Sequence, residues 1–265
     1  MNWVRQVNIV IINKRWVNIA MAAVICAAVT LTSVAFFISA KSNRMLPIYC
    51  VNNNRKQVAI TFDAAWTDSN VDELIKIMKQ YNVKSTVFAV GEWAEKYPDA
   101  VKKLSKAGHE IGNHSDAHKH LDSLSDQQFI DDTKSCNQKI EKLTGKKVSL
   151  YRGPYGEYNN NTVKAIESLG MYYIQWDCDS LDWKPNYTVE MIASSAVKNV
   201  KSGSIILLHI GAEHTSEALP MILSKLQSDG YEFVTVSRLI YKKNYTIDNA
   251  GMQTYNCESS SVSSR

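Results

Sequence analysis

Two histidines four residues apart are the feature of this sequence with the clearest chemical potential. His114 and His118 lie in the stretch Gly108-His109-Glu110-Ile111-Gly112-Asn113-His114-Ser115-Asp116-Ala117-His118. This stretch is typical of a short strand that runs into a turn or a first helical turn, and the i,i+4 spacing places both imidazoles on one side of it. Two imidazoles so placed can bind one metal ion together. An isolated pair with this spacing is more often part of a polar loop, so the other polar residues of the chain decide between the two interpretations.

Seven apolar, strand-like runs supply the elements that would position this pair. They alternate with amphipathic patterns that predict helices, such as Val71, Leu74, Ile75 and Met78 at i, i+3, i+4 and i+7. The alternation predicts an α/β fold of βα units around a parallel sheet. So many units in one domain favour a closed or nearly closed barrel over an open sheet. The predicted strands are Gln57–Phe62, Lys84–Val90, His109–Gly112, Val148–Arg152, Tyr172–Asp177, Ser204–His209 and Glu232–Val236.

Unusual polar residues follow the carboxyl ends of these predicted strands. In an α/β barrel those ends point into one common mouth, where active sites lie. One such residue has a structural explanation, since Asp63 could cap the helix that follows it. Five strand ends that each carry one are better explained by a shared site. The residues are Asp63 after the first strand, His114 and His118 after the third, Arg152 at the fourth, Asp179 and Asp182 after the fifth, and His209 at the sixth.

Five short motifs connect these residues to a known family. They are Thr61-Phe62-Asp63-Ala64, His114-Ser115-Asp116-Ala117-His118, Arg152-Gly153-Pro154-Tyr155, Asp179-Ser180-Leu181-Asp182-Trp183 and Leu207-Leu208-His209. In order and spacing they resemble the motifs T-F-D-D, H-[ST]-x-x-H, R-x-P-Y, D-x-x-D-W and L-x-H of polysaccharide deacetylases of the NodB-homology type, carbohydrate esterase family 4. The resemblance covers about Val58 to Ile240. The layout is similar to that of membrane-anchored, sporulation-associated members.

The resemblance implies a distorted barrel of seven or eight βα units and metal-dependent hydrolysis of an N-acetyl amide. It implies that His114 and His118 bind one divalent ion, with zinc the first candidate and cobalt another. It also implies that Asp63 is the general base for the attacking water. The other implied roles are Arg152 as the residue that positions Asp63, Tyr155 as the backbone oxyanion donor, His209 as the general acid, Asp182 as its hydrogen-bond partner, and Trp183, Leu207 and Pro154 as substrate contacts.

The chain departs from the family at Ala64, which stands where the usual third metal ligand is found. Catalytic zinc normally has three protein ligands and a water, so two histidines alone would bind it weakly. Asp68, in the same loop, is the first candidate to replace the ligand; Asp63 itself or a water are alternatives. A fourth outcome is lost activity and a remaining glycan-binding groove. Gly153 is a second, minor departure, expected to loosen the loop that bears the oxyanion donor.

A third class of function uses a pair of carboxylates. A glycoside hydrolase with Asp63 and Asp182 as its catalytic pair would produce new reducing ends and need no metal. It would also leave the paired histidines and His209 without a role, so the sequence favours it least.

An apolar run near the amino terminus predicts a membrane anchor. Arg5, Lys14 and Arg15 precede a run that is long enough to cross a bilayer as a helix. Cations before the run predict a cytoplasmic amino terminus and an extracytoplasmic catalytic domain. Secretion after cleavage of a signal peptide is the alternative, with Ile38-Ser39-Ala40 as a poor cleavage site. The predicted divisions are a cytoplasmic segment 1–16, a transmembrane anchor 17–40, a connector 41–54, a catalytic domain 55–243 and a Ser-rich, disordered tail 244–265.

Composition narrows the classes of partner. A chain of 265 residues that is 45% hydrophobic can bury a full core. Its net charge of +4 gives no case for nucleic-acid binding and suits an anionic polymer or a membrane surface. The five cysteines show no paired spacing that would predict a disulfide framework. The sequence therefore predicts a membrane-anchored deacetylase of N-acetylated amino sugars in a peptidoglycan-like wall or spore-cortex polysaccharide, and leaves the sugar and the oligomeric state open.

Overall fold

The computed structural model describes residues 44–256 and, before them, Met21 alone. The predicted segment 1–16 and all of the predicted anchor 17–40 except Met21 lie outside these residues, as do residues 41–43 and 257–265. Among the residues that are described, no helix combines the length and the apolar character needed to cross a bilayer. The contacts below all lie within the compact unit that begins at Met45.

A parallel sheet forms the centre of this unit. Its strands pair in the order β6-β5-β4-β3-β2-β8-β7, and β9 pairs with the first two residues of β2. Every pairing in this sheet is parallel. The seven predicted strands are all present, and β7 is an additional short strand. The strands are β2 Gln57–Ala64, β3 Thr86–Ala89, β4 Glu110–Asn113, β5 Leu150–Tyr151, β6 Tyr172–Tyr173, β7 Cys178–Asp179, β8 Ile205–Ile210 and β9 Glu232–Phe233.

The sheet is a half-barrel rather than the predicted closed or nearly closed barrel. Its two edge strands, β6 and β7, do not pair with each other in the described part of the chain. Only residues 174–177 separate these strands, and a parallel pair needs a crossover of about a dozen residues or more. So short a connection also keeps the two edges of the sheet close together, and this requires the sheet to curl.

A segment at the start of the described chain lies in the gap between the edges. Ile48 forms a parallel bridge with Ile174, just after β6, and its carbonyl accepts the Gln175 N–H at 2.7 Å. Three residues later, the N–H of Val51 donates to the carbonyl of Gly203, just before β8, at 2.9 Å. These bonds connect both sides of the opening, so the segment belongs to the fold.

The predicted boundaries at both ends of the catalytic domain are therefore wrong. Within the predicted connector 41–54, Cys50–Val51 forms the buried strand β1. Within the predicted tail 244–265, Tyr245–Ile247 and Met252–Tyr255 form β10 and β11. β11 pairs with β1 in parallel and with β10 in antiparallel register. These short strands lack a clear apolar alternation; β10 and β11 form a local hairpin, and pairing with the distant β1 attaches that hairpin to the domain.

Helices cover one side of the sheet. In α1, Val71, Leu74, Ile77 and Met78 are buried, whereas the predicted contact Ile75 is only partly buried. The described helices are α1 Val71–Gln80, α2 Gly91–Lys96, α3 Pro98–Lys106, α4 Asp126–Thr144, α5 Asn160–Ser168, α6 Val189–Val197, α7 Thr215–Ser228 and α8 Val236–Leu239.

The longest of these helices, α4, has defined ends. It begins with a capping box, in which the N–H of Gln128 donates to Ser125 Oγ and the N–H of Ser125 donates to the Gln128 side chain. It stops at Gly145, whose φ of 67° is favourable for glycine. These local signals fix where α4 starts, and so which of its residues face the histidine loop.

The central strand β2 determines which side chains reach the interior of the half-barrel. All eight of its residues are buried, as expected for a parallel strand covered on both faces. Because side chains alternate along a strand, Asp63 shares a face with Ala59, which packs with Ile205 and Ile48. The neighbouring Ala64 belongs instead to the larger apolar cluster beneath the helices.

The cysteines within the described residues are buried free thiols. Cys50, Cys136 and Cys178 form no disulfide. Burial raises the pKa of Cys50 to about 11 and that of Cys178 to about 12, so these thiols stay protonated and pack as small apolar side chains. Cys26 and Cys257 lie outside the described residues.

Candidate active site

Most of the predicted site residues meet at one cavity of about 490 Å³ at the carboxyl ends of the strands. Among the residues that line it are Asp63, His114, His118, Tyr155, Asp179, Trp183, Leu207 and His209. Arg152 and Asp182 are buried behind two of these side chains, as described below. Pro154 and Asp68 are not among the lining residues, so the structure does not bring these two predicted site residues to the cavity.

Asp63 lies at the end of β2 and is held by a buried arginine. Arg152 is fully buried, and its Nη1 donates to Asp63 Oδ1 at 2.8 Å while its Nη2 donates to the carbonyl of Gln175 at 3.2 Å. The guanidinium lies over the ring of Phe88, 4.1 Å from its centroid. Burial alone would raise the pKa of Asp63, but its basic neighbours His114, Arg152 and His209 outweigh burial and lower it; among them Arg152 keeps its positive charge at any pH of interest. Asp63 is therefore an ionised, oriented carboxylate.

His114 presents one defined ring nitrogen to the site. Its Nδ1 is 2.8 Å from the carbonyl oxygen of Arg152, and because a carbonyl only accepts, Nδ1 carries the proton. Nε2 is then the free lone pair, 3.4 Å from Asp63 Oδ2. Burial lowers the pKa of His114 despite the opposing charge of Asp63. A neutral imidazole with its second nitrogen fixed in this way has the form that metal ligation requires.

His118 lies beside His114 on a strained loop. The two rings meet edge to face with centroids 5.1 Å apart. Burial, followed by the charge of His114, lowers the pKa of His118 to about 4. Ser115 and His118 have φ values of 69° and 51°, a region that non-glycine residues adopt mainly where surrounding contacts hold them, often at functional sites.

Residues that sequence reasoning missed hold this loop. Asp132 on α4 accepts the backbone N–H of Asp116 at 2.8 Å and that of Ala117 at 3.3 Å. Asn113 accepts the N–H of Ser115 at 2.7 Å. Asp132 gives no local signal in the sequence, because it reads as one of several acidic residues on an amphipathic helix.

His209 and Asp182 form a second buried pair. His209 Nδ1 is 2.7 Å from Asp182 Oδ1, and its backbone N–H donates to Asp182 Oδ2 at 2.8 Å. The hydroxyl of Thr215 also donates to Oδ2, at 2.6 Å. Burial alone would lower the pKa of His209, but the hydrogen bond and charge of Asp182 outweigh burial and raise it. The ring can therefore hold a proton on Nε2, the nitrogen not bonded to the carboxylate.

Pairing between neighbouring strands sets the carboxylate of Asp63 beside the imidazole of His209. In the parallel ladder between β2 and β8, Asp63 is the direct partner of His209. Directly paired residues of adjacent strands project to the same face of a sheet, about 5 Å apart at their backbones. Both therefore project into the cavity from its floor.

Exposed aromatic rings form part of the cavity wall. Tyr155 and Trp183 are 57% and 49% exposed. The Tyr155 ring stacks on His120 with centroids 3.9 Å apart and meets His118 edge-on at 4.7 Å. Leu207, by contrast, is buried and contributes an apolar surface. This combination suits a sugar ring with a small apolar substituent.

The turn that bears Tyr155 is tightly packed. Tyr155 has a φ of 57° within Pro154–Gly156. A Cβ added to Gly153 would lie 2.5 Å from the carbonyl oxygen of Glu157, and that carbonyl accepts the Tyr173 hydroxyl at 2.5 Å. This close approach favours glycine at position 153, and the expectation that Gly153 loosens the loop stays a prediction.

Trp66 is a cavity residue that the motifs did not indicate. It lines the cavity and stacks on His209, with ring centroids 5.2 Å apart and an interplanar angle of 16°. It is 48% exposed, and the signal available in the sequence was a tryptophan three residues after a motif aspartate.

The donor set suits a divalent metal in part. The imidazoles of His114 and His118 lie edge to face, and two neutral imidazoles on one loop are donors that zinc accepts. Across the described chain, however, no three His, Cys, Asp or Glu side chains are grouped as a complete metal site. Ala64 is fully buried among apolar residues and offers no ligand. Of the predicted replacements, Asp63 is beside the histidine pair and Asp68 is not brought to it.

A larger cavity lies at the other end of the sheet. It has a volume of about 770 Å³ and is lined by His109, Glu110 and Lys84 among others. None of the predicted site residues lines it. We place the candidate active site in the smaller cavity because Asp63, His209 and the paired imidazoles of His114 and His118 line it.

Comparison with known proteins agrees with this geometry. Residues 51–174 match the family described as Polysaccharide deacetylase. The chain is 37% identical over 199 residues to a peptidoglycan-N-acetylglucosamine deacetylase from Bacillus cereus, and the match covers 73% of this chain and 92% of that protein. It is 30% identical over 198 residues to the peptidoglycan-N-acetylmuramic acid deacetylase PdaA of Bacillus subtilis, covering 74% and 75% of the two chains.

Similar solved structures include a pseudoenzyme. The structure resembles a CE4 family pseudoenzyme from Bacillus anthracis with a TM-score of 0.71 and 30% identity, covering 74% of this chain and 69% of that one. A mutant of that pseudoenzyme with restored enzymatic activity aligns with the same TM-score of 0.71 and 31% identity, covering 74% and 72%. Since the motif residues meet in one cavity and the relatives match over most of their length, the chain belongs to the polysaccharide deacetylase family.

Proposed function

We propose that this protein is a metal-dependent hydrolase that removes acetyl groups from N-acetylated amino sugars of a peptidoglycan-like polysaccharide. The observation that supports this best is the register of Asp63 with His209 on adjacent strands. It sets an ionised carboxylate and a protonatable imidazole side by side on the floor of one cavity. Hydrolysis of an amide needs this combination, because a proton must leave the attacking water and another must reach the departing amine.

His114 and His118 are the residues that would hold the metal, with Asp63 next to them. When bound there, a divalent ion such as zinc would polarise the acetyl carbonyl and lower the pKa of its bound water. The lowered pKa values of both histidines keep them neutral and able to ligate at neutral pH.

Asp63 takes the proton of the attacking water. Arg152 fixes the carboxylate through Oδ1, which leaves Oδ2 facing the cavity. The lowered pKa of Asp63 keeps it ionised and ready to accept a proton. Backbone donation from Tyr155 to the oxyanion remains a prediction.

His209 gives a proton to the amine nitrogen as the carbon–nitrogen bond breaks. Asp182 fixes the ring through Nδ1, so Nε2 is the nitrogen that can donate into the cavity. The products are acetate and a free amino sugar, and each residue regains its starting protonation state when the proton passes from Asp63 through water to His209.

The glycoside hydrolase alternative conflicts with the surroundings of Asp182. Both of its carboxylate oxygens already accept hydrogen bonds, from His209 and from Thr215. A carboxylate engaged in this way is not free to act on a glycosidic oxygen.

We also propose that the enzyme is anchored in the cell membrane with its catalytic domain outside, where it acts on the wall or spore cortex. The apolar run 17–40 with cations before it supports the anchor. Relatives named as peptidoglycan deacetylases of N-acetylglucosamine and of N-acetylmuramic acid support a wall polymer as the substrate. Cell fractionation tests the anchor, because the protein should be found in the membrane fraction. Protease added to intact protoplasts should degrade the catalytic domain, since that domain lies outside the membrane.

The central experiment measures metal content and acetate release together. Full-length protein purified in mild detergent is incubated with peptidoglycan and with N-acetylglucosamine oligomers, with a chelator and then with added zinc or cobalt. We expect acetate that depends on the metal and no new reducing ends. His209→Gln is the control, since it should retain bound metal but lose most acetate release.

A catalytically impaired glycan-binding module is the second candidate. Ala64 in place of a ligand and the likeness to a pseudoenzyme favour it. Protein that binds glycan yet releases no acetate even with excess metal would establish this function and exclude the hydrolase.

A further inference from the structure

The loop after β2 places an indole ring against the proposed acid. Trp66 lies three residues beyond Asp63, and its ring is nearly parallel to that of His209, at 16° with centroids 5.2 Å apart. One short segment therefore supplies both Asp63 and the ring that stacks on His209.

This loop is fixed to the strand that carries His209. The N–H of Gly211 donates to Asn70 Oδ1 at 2.9 Å, and Asn70 Nδ2 donates to the carbonyl of Ala212 at 3.4 Å. Thr67 packs on Gly211 so closely that an added Cβ would lie 2.8 Å from the Thr67 carbonyl oxygen. These contacts attach the Trp66 loop to the chain two residues after His209. They therefore hold the Trp66 ring in place against the His209 ring.

The hydrogen bonds of His209 leave one of its motions unrestrained. Asp182 holds Nδ1, but a single bond to one ring nitrogen still lets the ring tilt about that bond. A flat indole on the face of the ring restricts the tilt and keeps Nε2 aimed at the cavity. A positively charged ring is also favoured over the face of tryptophan, so the contact suits the form of His209 that donates.

We propose that Trp66 is a positioning residue that holds the His209 imidazole for proton transfer, with its loop fixed to β8 through Asn70 and Gly211. The proposal rests on the proposed function. Trp66 acts through His209 and needs no contact with the reacting atoms.

The test separates positioning from simple contact with the glycan. Acetate release is measured for the full-length, metal-loaded protein and for Trp66→Ala, Trp66→Phe, His209→Gln and the double variant. Trp66→Ala should lower kcat by about tenfold with KM changed less than about twofold, and Trp66→Phe should restore most of kcat, because a flat ring is retained. In the His209→Gln background, Trp66→Ala should change kcat by less than about twofold, since residues that act through one group are not additive.

Trp183→Ala is the matched control. Trp183 lines the same cavity and is about as exposed as Trp66. As a glycan contact it should raise KM, and the effect should persist in the His209→Gln background. If Trp66→Ala behaves in this way, or leaves kcat unchanged, Trp66 is a glycan contact or a structural residue and the proposal is overturned.

A readout that needs no activity keeps this proposal distinct from the proposed function. The ring protons of His209 should show a ring-current shift in NMR spectra that is lost in Trp66→Ala and retained in Trp66→Phe. The Nδ1 proton shared with Asp182 should exchange faster with water in Trp66→Ala. Unchanged ring signals overturn the positioning role, whereas a wild type that shows these signals but releases no acetate overturns only the hydrolase.

Discussion

Two histidines flank the same four-residue strand and have different surroundings. His109 precedes β4 and His114 follows it, and both are almost fully buried, at 2% and 3% exposure. At the amino end, His109 Nδ1 accepts the backbone N–H of Ser85 at 3.1 Å, and burial lowers its pKa to about 4. At the carboxyl end, burial lowers the pKa of His114 too, but there Asp63 lies 3.4 Å from Nε2.

The contrast shows that burial of a histidine does not by itself make a site. The amino end has the larger cavity, yet His109 has no carboxylate or second imidazole as a hydrogen-bond or ion-pair partner among the residues described. The carboxyl end has partners because every parallel strand ends there, so side chains far apart in sequence converge. The predictions below test this difference between the two ends of the sheet.

Loss of either paired imidazole should have the largest effect. His114→Ala or His118→Ala should abolish metal binding and lower acetate release by at least about a thousandfold, because the water loses its activation. Mass spectrometry of the native protein measures the bound metal, and an acetate assay measures the activity. Full activity in either variant would contradict the metal assignment.

Asp182→Asn should lower kcat by about a hundredfold, since it removes the charge that holds His209. The pH dependence should change as well. His209 must be protonated to donate, and its pKa is raised by Asp182, so activity falls as pH rises through that pKa. In the variant this alkaline fall should begin at lower pH.

Thr215→Val is a milder variant that tests the same role of Asp182. It removes only the hydrogen bond from Thr215 Oγ1 to Asp182 Oδ2 and keeps the volume of the side chain, so its effect should be in the same direction and smaller. An alkaline limb in Asp182→Asn that coincides with that of the wild type would exclude His209 as the titrating acid.

Ala64→Asp should tighten metal binding by about tenfold and should make the stability of the fold depend on bound metal. Ala64 is packed in the apolar cluster beneath the helices, so a carboxylate there destabilises the fold unless it turns toward the cavity and reaches the metal. The variant should melt lower than the wild type in chelator, and added zinc should raise its melting temperature more than that of the wild type. An equal rise in both proteins would mean that the new carboxylate does not reach the ion.

His109→Gln should leave acetate release within about twofold of the wild type and change only the response to acid. Because the pKa of His109 is about 4 when folded, the unfolded chain binds this proton first as pH falls from about 6.5. The wild type should lose about 2–3 kcal/mol of unfolding free energy from this residue between pH 7 and pH 4.5, and the variant should not. Urea denaturation at both values measures it, and parallel losses in the two proteins would contradict the assignment.

Local patterns were sufficient for several elements and for most of the side chains that meet in the cavity. The alternation of apolar runs predicted all seven strands, because burial on both faces leaves a signature in each strand separately. The five motifs predicted which side chains meet, and the cavity brings together Asp63, the histidine pair and His209 as expected. Pro154 was predicted from the family resemblance and Asp68 from its position in the same loop as Asp63, and the turn and loop that carry them do not bring them to the cavity.

The sequence by itself therefore determined the α/β class, the family and most of the side chains that meet in the cavity, because each depends on residue type and local spacing. Only the tertiary structure decided that the barrel is half closed, that residues 48–51 lie across its opening and that residues 245–255 add two strands. It also decided that Trp66 covers His209 and that Ala64 faces away from the cavity. These features depend on pairing and packing between segments distant in the chain, which no local pattern records.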